Sequence, residues 1–296
     1  MTRLLCIGEC MLELAPAEAP ETFRAGFAGD TFNTAWYARR LAPAGLEVAY
    51  MTAVGQDTVS ERLEVFTRAA GIVPDFIRRP DRTLGLYMIE LTEGERSFAY
   101  WRGQSAARTL ADDLDDLPGI GPGDMVYLSG ITLAILPEAG RARLLAALDR
   151  ARAEGVRVAF DPNLRPRLWP SADVMRAVVM EGARRADIAL PSFDDEATWF
   201  GDSDIAATAD RYATAGARMI AVKDGPRPVL LRTPDGAAWV APRPVDQIVD
   251  STAAGDAFNA GFLIGLEAGL PPTEAVQQGC DIAAKVVARR GALADI

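Results

Sequence analysis

Residues 250–262 place an acidic side chain directly after a run of small residues. Their sequence is Asp-Ser-Thr-Ala-Ala-Gly-Asp-Ala-Phe-Asn-Ala-Gly-Phe, and an apolar helix is predicted to begin at Asp256. Ala253, Ala254 and Gly255 carry almost no side chain, so the backbone N–H groups of this turn are open to a ligand. Unpaired N–H groups and the macrodipole at a helix N-terminus favour an anion. The turn is therefore a candidate anion hole.

Asp256 is the candidate base beside this hole. Phosphoryl transfer to a hydroxyl needs both parts, because one stabilises charge on the moving phosphoryl group and the other accepts the hydroxyl proton. The alternative is an ordinary acidic residue that stabilises a helix start. Farther along the same helix, Gly261 and Gly265 lie one turn apart and are predicted to allow close helix packing.

A rigid arginine is predicted in residues 161–169, Asp-Pro-Asn-Leu-Arg-Pro-Arg-Leu-Trp. Two prolines flank Arg165 and restrict its backbone to extended conformations. A fixed guanidinium suits bidentate recognition of a carboxylate or phosphate. A solvated loop is the alternative.

The elements that must position these groups alternate between strands and helices. From residue 124 onward, buried apolar runs are separated by helical segments, which indicates a mostly parallel sheet covered on both faces. Functional side chains then gather at the carboxyl ends of the strands. Residues 229–232 and 237–240 are predicted to form an antiparallel edge hairpin, and residues 245–249 a further strand before the anion-hole turn.

A small second sheet is predicted beside this core. Alternating runs between residues 84 and 101, separated by a charged turn at 92–95, indicate a β-hairpin. With residues 10–28 this hairpin would form a projecting lid, inserted at about 10–28 and 82–104. Because no linker or repeat interrupts the sequence, residues 1–296 are expected to form one domain.

Composition and missing motifs exclude several classes of protein. The formal net charge of −10 argues against nucleic acid or an anionic membrane as a partner. There is no histidine, and the three cysteines lack metal-ligand spacing, so a zinc site and Ser-His or Cys-His schemes are excluded. Because Glu9 and Glu13 interrupt the first apolar run, no signal peptide is expected, and no apolar span, P-loop motif or dinucleotide-binding motif is found in this sequence. A cytoplasmic enzyme is expected.

Two stretches resemble the signatures of the ribokinase-like (PfkB) carbohydrate kinases. Residues 250–256 are similar to D-T-x-[GA]-A-G-D, and residues 27–41 resemble G-G-x-x-x-N-x-A, with Ala28 in place of one glycine. The lid segments and residues 161–169 are similar to those of the 2-keto-3-deoxygluconate kinases in this family. The resemblance covers the whole chain. It implies an α/β fold of the ribokinase-like three-layer α/β/α type, with a mostly parallel central sheet and a small β-sheet lid.

The resemblance also implies a set of substrate contacts. These residues are Gly29, Asp30, Asn33, Tyr87, Tyr100, Arg102, Asn163, Arg165 and Asp256. For the first three, a capped helix start is the alternative. Neither arginine has an obvious acidic neighbour in sequence, so both are expected to be free to bind the carboxylate of a sugar acid.

ATP and Mg²⁺ are the implied cofactors. Lys223 and Gly225 match the start of the family's K-x-G-x-x-G loop, whose second glycine is missing here. Ser192 and Asp195 stand in place of the N-x-x-E motif, which arranges magnesium and its waters in that family. The resemblance therefore implies nucleotide contacts by Ser192, Lys223, Gly225 and Gly255. Asp195 would act on the metal only through water, or would simply stabilise a helix start.

The expected activity is ATP-dependent phosphorylation of 2-keto-3-deoxygluconate, with Asp256 as the base and residues 253–255 as the anion hole. Its partners would be a small sugar acid and ATP, with a homo-oligomer formed through the lid as a further expectation. Other sugar kinases of the family, for fructose, ribose or 2-keto-3-deoxygalactonate, are the close alternatives. A non-catalytic sugar or nucleotide sensor on the same fold is a more distant one.

Overall fold

The strands of the protein make two sheets. The computed structural model describes residues 2–19, 21–92 and 95–296. In chain order the strands are β1 (Thr2–Ile7), β2 (Met11–Pro16), β3 (Phe23–Ala28), β4 (Leu46–Val54), β5 (Val73–Arg78), β6 (Leu86–Thr92), β7 (Glu95–Trp101), β8 (Met125–Ser129), β9 (Arg157–Asp161), β10 (Ile188–Ala189), β11 (Met219–Asp224), β12 (Arg227–Thr233) and β13 (Gly236–Val240).

The helices alternate with the strands of the larger sheet. They are α1 (Asp30–Leu41), α2 (Thr58–Ala69), α3 (Gly130–Ile135), α4 (Glu138–Ala153), α5 (Ala172–Ala183), α6 (Phe193–Phe200), α7 (Ile205–Ala215), α8 (Ala254–Glu267) and α9 (Pro272–Val287). Short 3₁₀ helices cover Ala106–Thr109 and Pro166–Leu168. No helix in the described ranges is both long and apolar enough to cross a membrane.

The larger sheet has the strand order β13-β12-β11-β10-β9-β8-β1-β4-β5. The strands from β11 to β5 pair in parallel, whereas β12 and β13 add an antiparallel hairpin at one edge. Both the mostly parallel sheet and the edge hairpin were predicted from the sequence.

Helices cover both faces of this sheet. Leu4 and Cys6 of β1 pack in a core with residues of α1, α8 and α9. Leu5 and Ile7 pack in a second core with residues of α4 and α5. Since neighbouring side chains of a strand point to opposite faces, the sheet is the middle of three layers. The predicted α/β/α fold is confirmed.

The smaller sheet has the order β3-β2-β6-β7 and is called the lid below. β2 pairs antiparallel with β3 and in parallel with β6, and β6 and β7 form the hairpin. In the predicted turn at 92–95, residues 93 and 94 lie outside the described residues. The inner face of the lid carries Met11, Ala28, Tyr87 and Ile89, and Ala253 packs against this cluster.

The strand predicted at 245–249 is wrong. Residues 241–250 have no strand, and the apolar side chains of Ile248 and Val249 are exposed instead of packing in the core. Instead, the N–H groups of Val249 and Asp250 donate to the carbonyl oxygen of Val287, at the end of α9, over 2.8 and 3.1 Å. The residues that lead into the anion-hole turn are therefore held by the end of α9 and not by a sheet.

Close packing of α8 against α9 holds the helix that carries Asp256. A Cβ added at Gly261 would lie 2.8 Å from the Cα of Gly279, and one at Gly265 would lie 3.0 Å from the Cα of Ala275. Side chains at these positions would collide with backbone, so both glycines serve helix packing, as predicted.

Candidate active site

Polar side chains converge at the carboxyl ends of the parallel strands. Ser129 and Asp161 are the last residues of β8 and β9, and Lys223 lies one residue before the end of β11. Across from them, the amide Nδ2 of Asn33 on α1 donates to Oδ2 of Asp256 on α8 over 2.8 Å. The two signature stretches therefore meet at the sheet edge where a site is expected.

Asp256 lies in the first turn of α8 and is partly buried. Burial raises the pKa of its carboxyl group to about 8, with the negative charge of Asp30 adding to the rise. The hydrogen bond from Asn33 and the charge of Lys223 lower it. A carboxylate whose pKa is shifted toward neutrality is suited to accept a proton from a hydroxyl group.

The turn before Asp256 adopts a conformation that few side chains tolerate. Ala253 has a left-handed backbone with φ of 61° and caps α8 without a side-chain hydrogen bond. The N–H group of Ala254 donates to the carbonyl oxygen of Ser251 over 3.2 Å. Asp250 accepts from the N–H groups of Thr252 and Gly291 over 3.0 and 2.8 Å. Asp250, to which the sequence assigned no role, thus joins the start of the turn to the C-terminal segment that follows α9.

Asp30 lies at the start of α1 and accepts hydrogen bonds through Oδ2 from the hydroxyl group of Ser129 and from Nδ2 of Asn163, the latter over 2.8 Å. Burial raises the pKa of its carboxyl group. Asn163 has a left-handed backbone with φ of 36°, which asparagine tolerates better than most residues. Gly29 allows close approach, since a Cβ there would lie 2.1 Å from the carbonyl oxygen of Glu9. Gly29, Asp30, Asn33 and Asn163, four of the predicted substrate contacts, thus lie together around the start of α1.

The ammonium group of Lys223 is buried among polar groups that the sequence did not single out. Its Nζ lies 3.0 Å from Oδ2 of Asp161 and 3.1 Å from Oδ1 of Asn259. Nδ2 of Asn259 in turn donates to Oδ2 of Asp161 over 2.6 Å and to the hydroxyl group of Tyr127 over 3.0 Å. Asp161, Lys223 and Asn259 are called the lysine cluster below. The Asn that follows Gly-Asp-Ala-Phe was the available signal, because it lies three residues after Asp256 and hence on a neighbouring part of the helix.

The lid contributes Tyr87, which donates from its hydroxyl group to the carboxylate of Glu13. The rings of Tyr87 and Tyr100 lie 5.8 Å apart, and Tyr100 is about half exposed. Because Tyr87 and Ala253 belong to one packed cluster, the inner face of the lid reaches the anion-hole turn.

The expectation that both arginines are free of acidic partners is wrong. Arg102 forms an ion pair with Glu9, whose side chain is 1% exposed. Arg165 lies 3.6 Å from Asp195, with both side chains about half exposed, and also donates to the carbonyl oxygen of Leu164 over 2.7 Å. Both partners come from distant parts of the sequence, where local inspection could not find them.

The predicted nucleotide residues divide into two groups. Ser192 pairs with Lys223 in a parallel bridge, and the N–H group of Lys223 donates to the carbonyl oxygen of Pro191 over 2.8 Å. Gly225, by contrast, lies in the exposed turn between β11 and β12, where its φ of 55° favours glycine.

Two acidic residues at the start of α6, Asp195 and Glu196, have different surroundings. Glu196 is fully buried and contacts Arg211 and Tyr212, with the pKa of its carboxyl group raised by burial to about 7. Asp195 is the residue that faces Arg165 at the site. The described ranges hold no cluster of three or more side chains able to ligate a metal. Asp195 supplies one hard oxygen donor of the kind that magnesium prefers.

The whole chain, residues 1–296, matches the profile described as pfkB family carbohydrate kinase. It is 39% identical over 296 residues to a 2-dehydro-3-deoxygluconokinase of Dickeya dadantii (strain 3937), covering 97% of this chain and 95% of that protein. It is 35% identical over 303 residues to the 2-dehydro-3-deoxygluconokinase of Escherichia coli (strain K12), covering 98% and 96%.

Solved structures share this architecture. A PfkB protein from Polaromonas sp. JS666 is 28% identical and superposes with a TM-score of 0.83, covering 97% of this chain and 96% of that one. A fructokinase from Vibrio cholerae O395, bound to fructose, ADP and calcium ion, is 24% identical with a TM-score of 0.85, covering 99% and 95%. The second likeness concerns the fold alone.

Proposed function

This chain belongs to the pfkB family of carbohydrate kinases, and we propose that it phosphorylates 2-keto-3-deoxygluconate. This sugar acid is the 2-dehydro-3-deoxygluconate in the names of the two full-length relatives. The γ-phosphoryl group of ATP would pass to the terminal hydroxyl group, giving 2-keto-3-deoxy-6-phosphogluconate and ADP. The observation that carries the proposal is Asp256, held by Asn33 at the start of α8 beside the small-residue turn.

Each step assigns a role to a group of this chain. The ionised carboxylate of Asp256 accepts the proton of the attacking hydroxyl group. As the new oxygen–phosphorus bond forms, the bond from phosphorus to the oxygen of ADP breaks. The anion hole of Ala253, Ala254 and Gly255 faces the charge on the phosphoryl group. Because Ala254 already donates to Ser251, Gly255 and the following N–H groups are the principal donors in this proposal.

Magnesium would arrive with ATP and neutralise charge on its phosphates. Asp195 would bind waters of that ion, and its pairing with Arg165 keeps both groups at the entrance to the site. Ser192, Lys223, Gly225 and Gly255 are proposed to lie along the nucleotide. The backbone bridge between Ser192 and Lys223 supports this proposal for these two residues, because it places them side by side.

The sugar acid is proposed to lie between the lid and the start of α1. Its hydroxyl groups would meet Gly29, Asp30, Asn33 and Asn163, while Tyr87 and Tyr100 cover it from the lid. Arg102, while paired with Glu9, and Arg165, while paired with Asp195, would each direct a remaining N–H group to its carboxylate. The exposed ring of Trp101, which points away from Tyr100 at the end of β7, also suits the proposed pairing of two lids in a homo-oligomer.

A panel of sugars and sugar acids in a coupled ADP-release assay tests the proposal. The highest kcat/KM is expected for 2-keto-3-deoxygluconate, with 2-keto-3-deoxygalactonate, fructose and ribose as comparisons. A preference for a neutral sugar over every acid would overturn the substrate assignment. Absence of ADP release with all of them would instead favour a sensor.

A further inference from the structure

The lysine cluster of Asp161, Lys223 and Asn259 lies directly behind the anion-hole turn. Asp161 and Lys223 are 4% and 8% exposed, and Asn259 is fully buried. A Cβ built on Gly255 would lie 3.8 Å from Nζ of Lys223. The one ammonium group of this cluster is therefore next to the backbone that would receive the phosphoryl group.

Asn259 uses both ends of its amide to fix this lysine. Oδ1 accepts from Nζ of Lys223, and Nδ2 donates to the carboxylate of Asp161 and the hydroxyl group of Tyr127. The same residue lies on α8, the helix that begins at the turn and carries Asp256. Asn259 thus ties the position of the ammonium group on β11 to the position of the candidate base.

Asp161 is the ionic partner of the buried ammonium group of Lys223. A buried ammonium group without a partner is strongly disfavoured, and a carboxylate 3.0 Å away offsets that cost. A neutral acceptor in place of Asp161 would leave the ammonium group without its ionic partner and free to turn toward solvent. The pair therefore fixes the position of an ammonium group in a site that also contains the carboxyl groups of Asp30 and Asp256.

We infer that Asn259 and Asp161 are positioning residues, which hold the ammonium group of Lys223 against the anion-hole turn so that its charge stabilises the transferred phosphoryl group. This inference rests on the proposed function. It differs from the expectation that Lys223 is simply a nucleotide contact, because a fixed charge behind the turn acts mainly in the transition state.

A double-mutant cycle separates this role from a structural one. Lys223→Met removes the charge at similar length and should lower kcat by roughly 10²–10³-fold, with the KM for ATP changed much less. Asn259→Leu should lower kcat by roughly 10- to 100-fold, because it releases the lysine. In the Lys223→Met background, Asn259→Leu should lower kcat by no more than about twofold, because the positioned group is already gone.

Leu263→Ala is the matched control on the same helix, where Leu263 is fully buried. It should lower the thermal midpoint without changing kcat at a temperature where the protein is folded. Fully multiplicative effects of Lys223→Met and Asn259→Leu would overturn the inference. So would a Lys223→Met protein that loses affinity for ATP but keeps its kcat.

The pH profile of the Asn259→Leu protein gives a second readout, which decides the matter if Lys223→Met does not fold. Asp256 faces Asp30 and Tyr37 from α1, Tyr127 from β8, Asp161 from β9 and Lys223 from β11. A displaced lysine no longer favours the ionised form of Asp256, so the acidic limb of kcat/KM should move to higher pH. An unmoved limb together with an unchanged kcat would contradict the inference.

The proposed function is tested separately by the wild-type protein. The cycle is run with whichever sugar the wild-type protein phosphorylates fastest, since the lysine cluster lies on the phosphoryl side of the site. A wrong sugar assignment therefore leaves the cycle interpretable, and a failed cycle leaves the sugar assignment intact.

Discussion

Arg102 of the lid hairpin forms a buried ion pair with Glu9, which follows the carboxyl end of β1 in the central sheet. The carbonyl oxygen of Glu9 occupies the space that a side chain at position 29 would fill. Gly29 is the N-cap of α1, and Asn33 of that helix holds Asp256. A continuous set of contacts therefore runs from the arginine of the lid to the candidate base.

The first prediction concerns recognition of the acid group. Arg102→Ala and Arg165→Ala should each raise the KM for 2-keto-3-deoxygluconate by roughly 10- to 150-fold, the range for a hydrogen bond to a charged group. The kcat should fall less, because the carboxylate is bound in the ground state as well. Arg62→Ala, on the exposed face of α2, is the control and should change neither value. Unchanged KM values for both variants would remove these arginines from the acid site.

The two arginines should differ in their effect on stability. Arg102→Ala leaves the buried carboxylate of Glu9 without its cation, a change that typically costs about 3–5 kcal/mol of unfolding free energy. Arg165→Ala breaks an exposed pair, which is worth about 0–1 kcal/mol. Denaturant unfolding of both variants measures the difference, and equal losses would argue against the buried pair.

Asp256→Asn tests the base. The amide keeps the size of the side chain but cannot accept the hydroxyl proton, so kcat should fall by roughly 10²–10⁴-fold. Binding of the sugar acid and of ATP, measured by calorimetry, should change much less. Asp173→Asn, at the exposed start of α5, provides a matched control. A folded Asp256→Asn protein with near-normal turnover would rule out the assignment.

The pH dependence of kcat/KM should show the raised pKa of Asp256. The base works only when ionised, so activity in the free enzyme should rise with pH and level off above about 8. The negative charge of Asp30 helps to raise the pKa of Asp256. Asp30→Asn should therefore shift the acidic limb to lower pH, whatever it does to the KM of the sugar. A limb that moves to higher pH would contradict the electrostatic arrangement.

Movement of the lid should be visible by hydrogen exchange. The strands β6 and β7 form one edge of the small sheet, and exclusion of water favours phosphoryl transfer to the sugar over hydrolysis. Exchange of the amide hydrogens in β6 and β7 should slow when the sugar acid binds. Peptides from α4 serve as an internal control. Equal protection with and without the sugar acid would identify the lid as a fixed wall or a subunit interface.

The sequence was a good guide where chemistry is local. The small-residue turn, Asp256 and the α/β/α layering follow from residue types and from the alternation of apolar runs. The partners of Arg102, Arg165 and Lys223 do not, because Glu9, Asp195 and Asp161 approach them only through the fold.

The strand predicted at 245–249 shows another limit of local patterns. Apolar residues suggested a strand, yet the N–H group of Val249 donates to the carbonyl oxygen of Val287 at the end of α9. The sequence did not reveal the role of Asn259 for a related reason. An asparagine inside an apolar helix shows no partner in the local sequence, because its amide contacts a lysine and a carboxylate from other strands only in the fold.

Burial of Asp256 sets the needs of catalysis against those of folding. Its pKa in the folded protein, about 8, lies above the ordinary value of 3.8, so the folded chain holds this proton more tightly than the unfolded chain does. For this group, the free energy of unfolding therefore decreases as pH rises from about 4 to about 8. Over the same interval the base becomes ionised and competent. The carboxyl group thus destabilises the fold most at the pH values where it can act as a base.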